Sequence, residues 1–145
     1  MNDDEITTGS FDMEDMEGET LTSGKTTVMF KDPVMEKIMA IYEIRTYQVT
    51  VGKMKDAVEA YTNKGWPALQ KGGFDKKLVG YFISDTGPLH QIVHLWKFDD
   101  DADRRNHWNS LFANDDFMNF AGDLRPLLIS QQNQLLNAAP WGPHP

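Results

Sequence analysis

The sequence predicts an α+β domain of ferredoxin-like architecture, βαββαβ, built on one antiparallel sheet. Four runs rich in β-branched and aromatic residues alternate with helix-period stretches in the order strand, helix, strand, strand, helix, strand. The two middle runs are joined by Asp85-Thr86-Gly87-Pro88, a turn signal that makes them a hairpin. The length, 145 residues, corresponds to about one domain.

The first strand is expected over Ile41–Val49, with Tyr42, Ile44 and Thr46 on one face and Glu43, Arg45 and Tyr47 on the other. Gly52 ends it, and Met54, Ala57, Val58 and Tyr61 then follow helical spacing. Trp66-Pro67 is expected to interrupt this helix, because proline removes a donor and constrains its predecessor; Ala68 and Leu69 continue in a shorter turn before Gly72-Gly73. Lys77–Ser84 reads as the second strand and Gly87–Phe98 contains the third. Asp99, Asp100, Asp101 and Asp103 stand where a helix N-terminus favours acids, and Trp108, Leu111 and Phe112 form that helix's apolar face. A short helix with Phe117, Phe120, Ala121 and Leu124 follows, and Arg125-Pro126 stops it. Leu127–Leu136 is the fourth strand, and Pro140, Pro143 and Pro145 leave an irregular end.

The net charge of −8 is unevenly spread. Residues 1–38 carry ten acids against three lysines, whereas 39–145 carry 12 acids and 11 bases. The first segment lacks strand or helix period until about Thr27 and is expected to be a disordered or loosely docked acidic extension. The compact domain is expected over 39–145. With neither a basic stripe nor basic residues interleaved with aromatics, nucleic-acid binding has no support. No stretch approaches the roughly 18 apolar residues of a membrane span, and no secretory or mitochondrial leader is recognisable. Cysteine is absent, which removes disulfides and thiolate metal sites. A cytoplasmic location is the expectation.

The most informative run is the third strand. Period two places Ile92, His94, Trp96 and Phe98 on one face and Gln91, Val93, Leu95 and Lys97 on the other. Both helices of a βαββαβ unit cover the same side of its sheet, and the other side needs cover from elsewhere. Assigning aliphatic Val93 and Leu95 to the helices sends His94, Trp96 and Phe98 to the bare side, with Glu43, Arg45 and Tyr47 beside them. An aromatic patch of that size calls for a symmetric dimer with sheets packed together. The space between the sheets would then hold His94, Glu43, Arg45, Tyr47, Tyr81, Trp96, Phe98, Gln131 and Asn133. That mixture suits a small apolar ligand with one polar or anionic group.

In this setting His94 is a candidate general base, Arg45 a candidate clamp for a carboxylate or enolate oxygen, and Trp96 a stacking surface. Each also has a plain structural reading: a hydrogen-bonded core histidine, an Arg45–Glu43 ion pair, a core tryptophan. His90 beside a turn and His107 on a helix read as solvated, and Arg104-Arg105 as surface ion pairs or caps. No histidines stand at convincing ligand spacing, so no metal is expected. Nucleophile elbows and phosphate loops are also missing, and no cofactor is expected.

Tyr42-Glu43-Ile44-Arg45-Thr46-Tyr47, the run Gly87 to Trp96, Arg104-Arg105, and Arg125-Pro126-Leu127-Leu128-Ile129-Ser130-Gln131 together resemble the NIPSNAP family over about residues 40–143. The resemblance implies a dimeric α+β barrel in a family that neighbours the antibiotic-biosynthesis monooxygenases, without implying a settled reaction. Animal members are linked to mitochondria and vesicle traffic; this chain shows neither a basic presequence nor a second repeat. Three function classes follow. The favoured one is a homodimeric barrel binding a small hydrophobic or aromatic ligand between its sheets. The others are a cofactor-independent monooxygenase or isomerase with His94 as base, and a protein-interaction module without a ligand.

Overall fold

The computed structural model describes residues 40–145, so the expected acidic extension of residues 1–38 lies outside the described residues. Strand β1 (Ile41–Val49) leads into helix α1 (Met54–Ala60), a π-helical turn (Tyr61–Gly65) and helix α2 (Trp66–Lys71). A 3-10 turn (Phe74–Lys77) precedes the hairpin of β2 (Leu78–Ile83) and β3 (Gln91–Phe98). Helices α3 (Asp101–Phe112) and α4 (Asp115–Leu124) and a 3-10 turn (Arg125–Leu127) lead to β4 (Leu128–Asn137). The sheet order is β2-β3-β1-β4, every pair antiparallel, which is the ferredoxin-like arrangement.

Local chemistry accounts for the boundaries. Asp100 caps α3 by accepting from the Asp103 N–H at 2.8 Å, and Asn114 caps α4 by accepting from the Phe117 N–H at 2.9 Å. Strand β3 begins only at Gln91, because His90 adopts a left-handed φ of 61° that breaks the extended run. The expected break at Trp66-Pro67 does not occur. Pro67 has no N–H for the Asn63 carbonyl, and the wider π turn just before it absorbs that mismatch while the helix continues. Gly65 ends the turn against α4: a Cβ there would lie 2.8 Å from the Phe120 ring.

The facing of the sheet reverses the expectation drawn from aliphatic character. Trp96 and Phe98 are buried beneath the helices with Leu69, Trp108 and Leu111, and Val49 and Ile92 with Ala57, Phe120 and Leu124. Glu43, Arg45 and His94 share that covered side, while Val93 and Leu95 lie half-buried on the bare side. The reason is that α3 and α4 bring Trp108, Phe112, Phe117 and Phe120, so the interior is aromatic and its natural sheet partners are aromatic as well. Trp96 therefore needs no second copy to cover it, since the chain's own helices do so.

Two glycine-to-alanine substitutions test this packing. Gly65→Ala should lower the unfolding free energy, because overpacking against Phe120 costs about 1–3 kcal/mol while the backbone gain is only about 0.5–1. Gly122→Ala, in α4 with open space around it, should raise stability by about 0.5–1 kcal/mol. Urea unfolding of both variants checks the opposite signs; equal effects would contradict the tight α4 contact.

Candidate functional site

Strand register assembles the site. Tyr81 pairs with His94, His94 with Arg45, and Arg45 with Asn133, so one row crosses all four strands beneath the helices. The next row sets Trp96 beside Glu43 and Leu135, and the row on the other side sets Ile92 beside Tyr47 and Gln131.

Glu43 is fully buried and its carboxylate accepts four hydrogen bonds. Arg45 Nη1 donates to Oε2 at 2.7 Å and Asn133 Nδ2 to the same oxygen at 3.1 Å. Trp108 Nε1 donates to Oε1 at 2.8 Å and Arg104 Nη1 at 3.4 Å. Strands β1 and β4 and helix α3 thus meet on one carboxylate. The Arg45 guanidinium also lies 4.5 Å from the Trp108 ring centre, a cation–π contact. Burial opposes the Arg45 charge, but Tyr47 and Glu43 beside it outweigh that and hold its pKa above the ordinary arginine value.

Trp96 Nε1 donates to His94 Nδ1 at 2.7 Å. An indole N–H can only donate, so Nδ1 carries the lone pair and the neutral imidazole holds its proton on Nε2. Burial first, and the Arg45 charge second, push the His94 pKa well below the ordinary histidine value. The ring is stacked on Tyr81 at 4.8 Å and meets the edge of Tyr47 at 4.8 Å. His94 Nε2 and Arg45 Nε are both buried and have no hydrogen-bond partner among the described residues. Both side chains line a cavity of about 40 Å³, together with Tyr47, Tyr61, Tyr81 and Gln131. Burial raises the Tyr61 and Tyr81 pKa values, so both phenols stay protonated near neutrality.

The cavity collects Arg45, Tyr47, Tyr81, His94, Trp96 and Gln131 from the residues singled out in the sequence. Glu43 and Asn133 stand behind it, bonded to each other, and Phe98 packs away from it against His107 and Trp108. The space lies between the sheet and helices of one chain, not on the bare face. Two further expectations change. Arg104 is buried and bridges Glu43 to Asp101, while Arg105 has the expected exposed pairing with Asp101. His107 is buried among Trp96, Phe98 and Trp108, and burial pushes its pKa down to about 4. Arg104, Trp108 and Tyr61 were not picked as site residues. The one legible hint was the i, i+4 spacing of Arg104 and Trp108 on α3. Among the described residues no three His, Cys, Asp or Glu side chains gather as a metal would require, and no helix is long and apolar enough to cross a membrane.

Burial of two neutral imidazoles sets a pH dependence. Unfolded, both bind a proton near pH 6.5; folded, both resist it, so stability falls as pH drops below that value. Urea unfolding from pH 6.5 to 5 should show a slope approaching two protons, about 2.7 kcal/mol per pH unit. His94→Gln should remove about one proton from it. A flat profile in the parent protein would contradict the burial of both rings.

The NIPSNAP family model matches residues 42–143. A protein named NipSnap homolog from Dictyostelium discoideum is 38% identical over 64 residues, 44% of this chain and 27% of that protein. NipSnap homolog 2 of Danio rerio is 24% identical over 107 residues, 74% of this chain and 36% of the relative. The matches thus span about a quarter to a third of these relatives' lengths. Among solved structures, a NIPSNAP family protein of unknown function from Agrobacterium tumefaciens is 29% identical with a TM-score of 0.67, over 73% of this chain and 94% of that one. A protein from Nitrosomonas europaea named as a candidate antibiotic biosynthesis monooxygenase has a TM-score of 0.51 over 68% of this chain and 89% of its own, at 10% identity, which shows the shared fold alone. The family match runs through all four strands and carries Glu43, Arg45, His94, Trp96, Arg104 and Trp108, so this chain belongs to the NIPSNAP family.

Proposed function

We propose that this NIPSNAP protein binds a small molecule between its sheet and its helices, presenting an oxygen of that molecule to His94 and Arg45. The carrying observation is the pair of buried donors, His94 Nε2 and Arg45 Nε, left without partners on side chains that line one cavity. Buried donors are almost always satisfied in folded proteins, and an acceptor atom from a ligand or water meets that need. A cavity of about 40 Å³ has room for a few waters or for the polar head of a ligand.

His94 acts in this reading as a hydrogen-bond donor. General-base chemistry requires a free ring lone pair, and the neutral ring has one, which Trp96 occupies. A neutral imidazole donor beside a guanidinium is suited to holding and polarising a carbonyl oxygen. Acetophenone and benzoate each carry an oxygen small enough for the cavity. At about ten times its Kd, at least one should stabilise the full chain by about 1.4 kcal/mol, read as a rise in unfolding midpoint. His94→Phe, which keeps a ring but loses the donor, should abolish the rise. If neither compound stabilises the parent protein at saturation, the ligand reading is wrong.

The bare face supports a second part of the reading, a homodimer formed by packing sheet on sheet. Ile44, Val93 and Leu95 form its half-buried centre, Phe82 at the edge is 56% exposed, and Thr46, Gln132 and Gln134 continue it. Among the described strand residues of that face Lys97 alone is charged, and its Nζ donates to the Pro145 carbonyl at 3.2 Å. A nearly uncharged face meets its own copy about a two-fold axis without like-charge repulsion. Light scattering should report twice the chain mass for the parent and a single chain for Leu95→Glu, with the helical signal unchanged. A monomeric parent at micromolar concentration would remove the dimer.

A further inference from the structure

Tyr61 and Tyr81 line two spaces. On their inner side is the cavity of about 40 Å³ that holds His94 and Arg45. On their outer side is a groove of about 310 Å³ along the edge strand β2, lined also by Val58, Thr62, Trp66, Phe82, Ile83 and Ile92. The two tyrosine rings meet edge-on with centres 5.2 Å apart, and they are the side chains common to the linings of the apolar groove and of the cavity with the buried donor pair. The groove has the volume of a small-molecule site, and the cavity has room for only the head of such a molecule. Tyr61 opens the π-helical turn, an irregularity of a kind found frequently at functional sites.

The charge of the head follows from the pairing already present. The Arg45 guanidinium is committed to Glu43 at 2.7 Å, and Arg104 is shared between Glu43 and Asp101. His94 cannot add a positive charge without breaking its bond from Trp96, because the only nitrogen free to take a proton is the one that bond occupies. Arg125, the other cation of the lining, is exposed to solvent, so a carboxylate held at His94 would be buried without a buried countercharge of its own, which is strongly unfavourable. A neutral carbonyl oxygen accepts from Nε2–H with no change of charge. We infer that the ligand of this site is a neutral carbonyl compound, a ketone, aldehyde or ester with an aryl or aliphatic body. Its oxygen meets His94, its body rests in the β2 groove, and Tyr61 and Tyr81 part to connect the two. The inference rests on the small-molecule reading above and adds the ligand's class and its route of entry.

Three probes of nearly equal shape separate the possibilities: 2-acetylnaphthalene, 2-naphthoate and 2-ethylnaphthalene, titrated calorimetrically into the full chain near neutral pH. The ketone should bind at least about tenfold more tightly than either of the others, since one lacks the acceptor and the other brings an unpaired charge. Ile83→Asp, at an exposed groove position outside the core, should weaken ketone binding by a similar factor while leaving the unfolding midpoint near the parent value. Trp96→Phe frees Nδ1 and should let naphthoate gain on the ketone as the pH is lowered. Naphthoate binding as tightly as the ketone, or the ethyl compound doing so, overturns the neutral-carbonyl class while the small-molecule site stands. Ketone binding that ignores Ile83→Asp overturns the groove route. No binding by any of the three overturns both this inference and the reading it rests on.

Discussion

The buried carboxylate of Glu43 is the constraint on which the rest of the structure depends. It stands at zero exposure on one of the two central strands and is met by donors from β1, β4 and α3. A buried charge with its donors removed costs several kcal/mol, so each of these groups is held where it is by the same requirement. Arg104 and Trp108 fix the height and rotation of α3 over the sheet. Asn133 ties the outermost strand to the same point. Arg45 is tied to Glu43 through Nη1, while its Nε stays buried without a partner on a side chain that lines the cavity.

A second constraint acts on the neighbouring row. Trp96 decides which nitrogen of His94 bears the proton, and burial decides that there is only one proton. Together these make a histidine that donates and does not readily accept. The consequence reaches any proposed chemistry: a role as base would need Trp96 to let go, whereas a role as donor needs nothing to move. The aromatic rings around it, Tyr47 and Tyr81, lower the local dielectric and so strengthen whatever single hydrogen bond the site makes.

The βαββαβ order was legible because hydrophobic period, turn residues and helix caps are local. Asp100 and Asn114 cap the helices from positions that local sequence chemistry favours, and the Asp85–Pro88 turn makes its hairpin. Tyr81, His94, Arg45 and Asn133 were expected in one space, and strand register aligns them in one row. Arg104 was missed because an arginine beside four aspartates has the composition of a surface. Its burial follows from an acceptor 61 residues away, Glu43, which no local pattern connects to it. The break expected at Pro67 failed for a related reason. Pro67 does lack the donor, but the π turn before it takes up the mismatch, and Gly65 of that turn packs on Phe120, a contact between distant segments.

The sequence by itself determined which side chains share a face along the regular strand runs, since period two is a property of the backbone there; only the register shifts at Gln48/Val49 and Leu78/Gly80 depart from it. It also determined the identities that make the site chemically distinctive: an imidazole, a guanidinium, a carboxylate and tyrosines in alternating register. Which of the two faces lay under the helices was decided only by tertiary structure. The choice depends on what the helices bring to the interface, and here they bring aromatic rings and an arginine, so the aromatic and ionisable face is the one that is buried. Local pattern specifies the two sides of a sheet; the partner that packs on it selects between them.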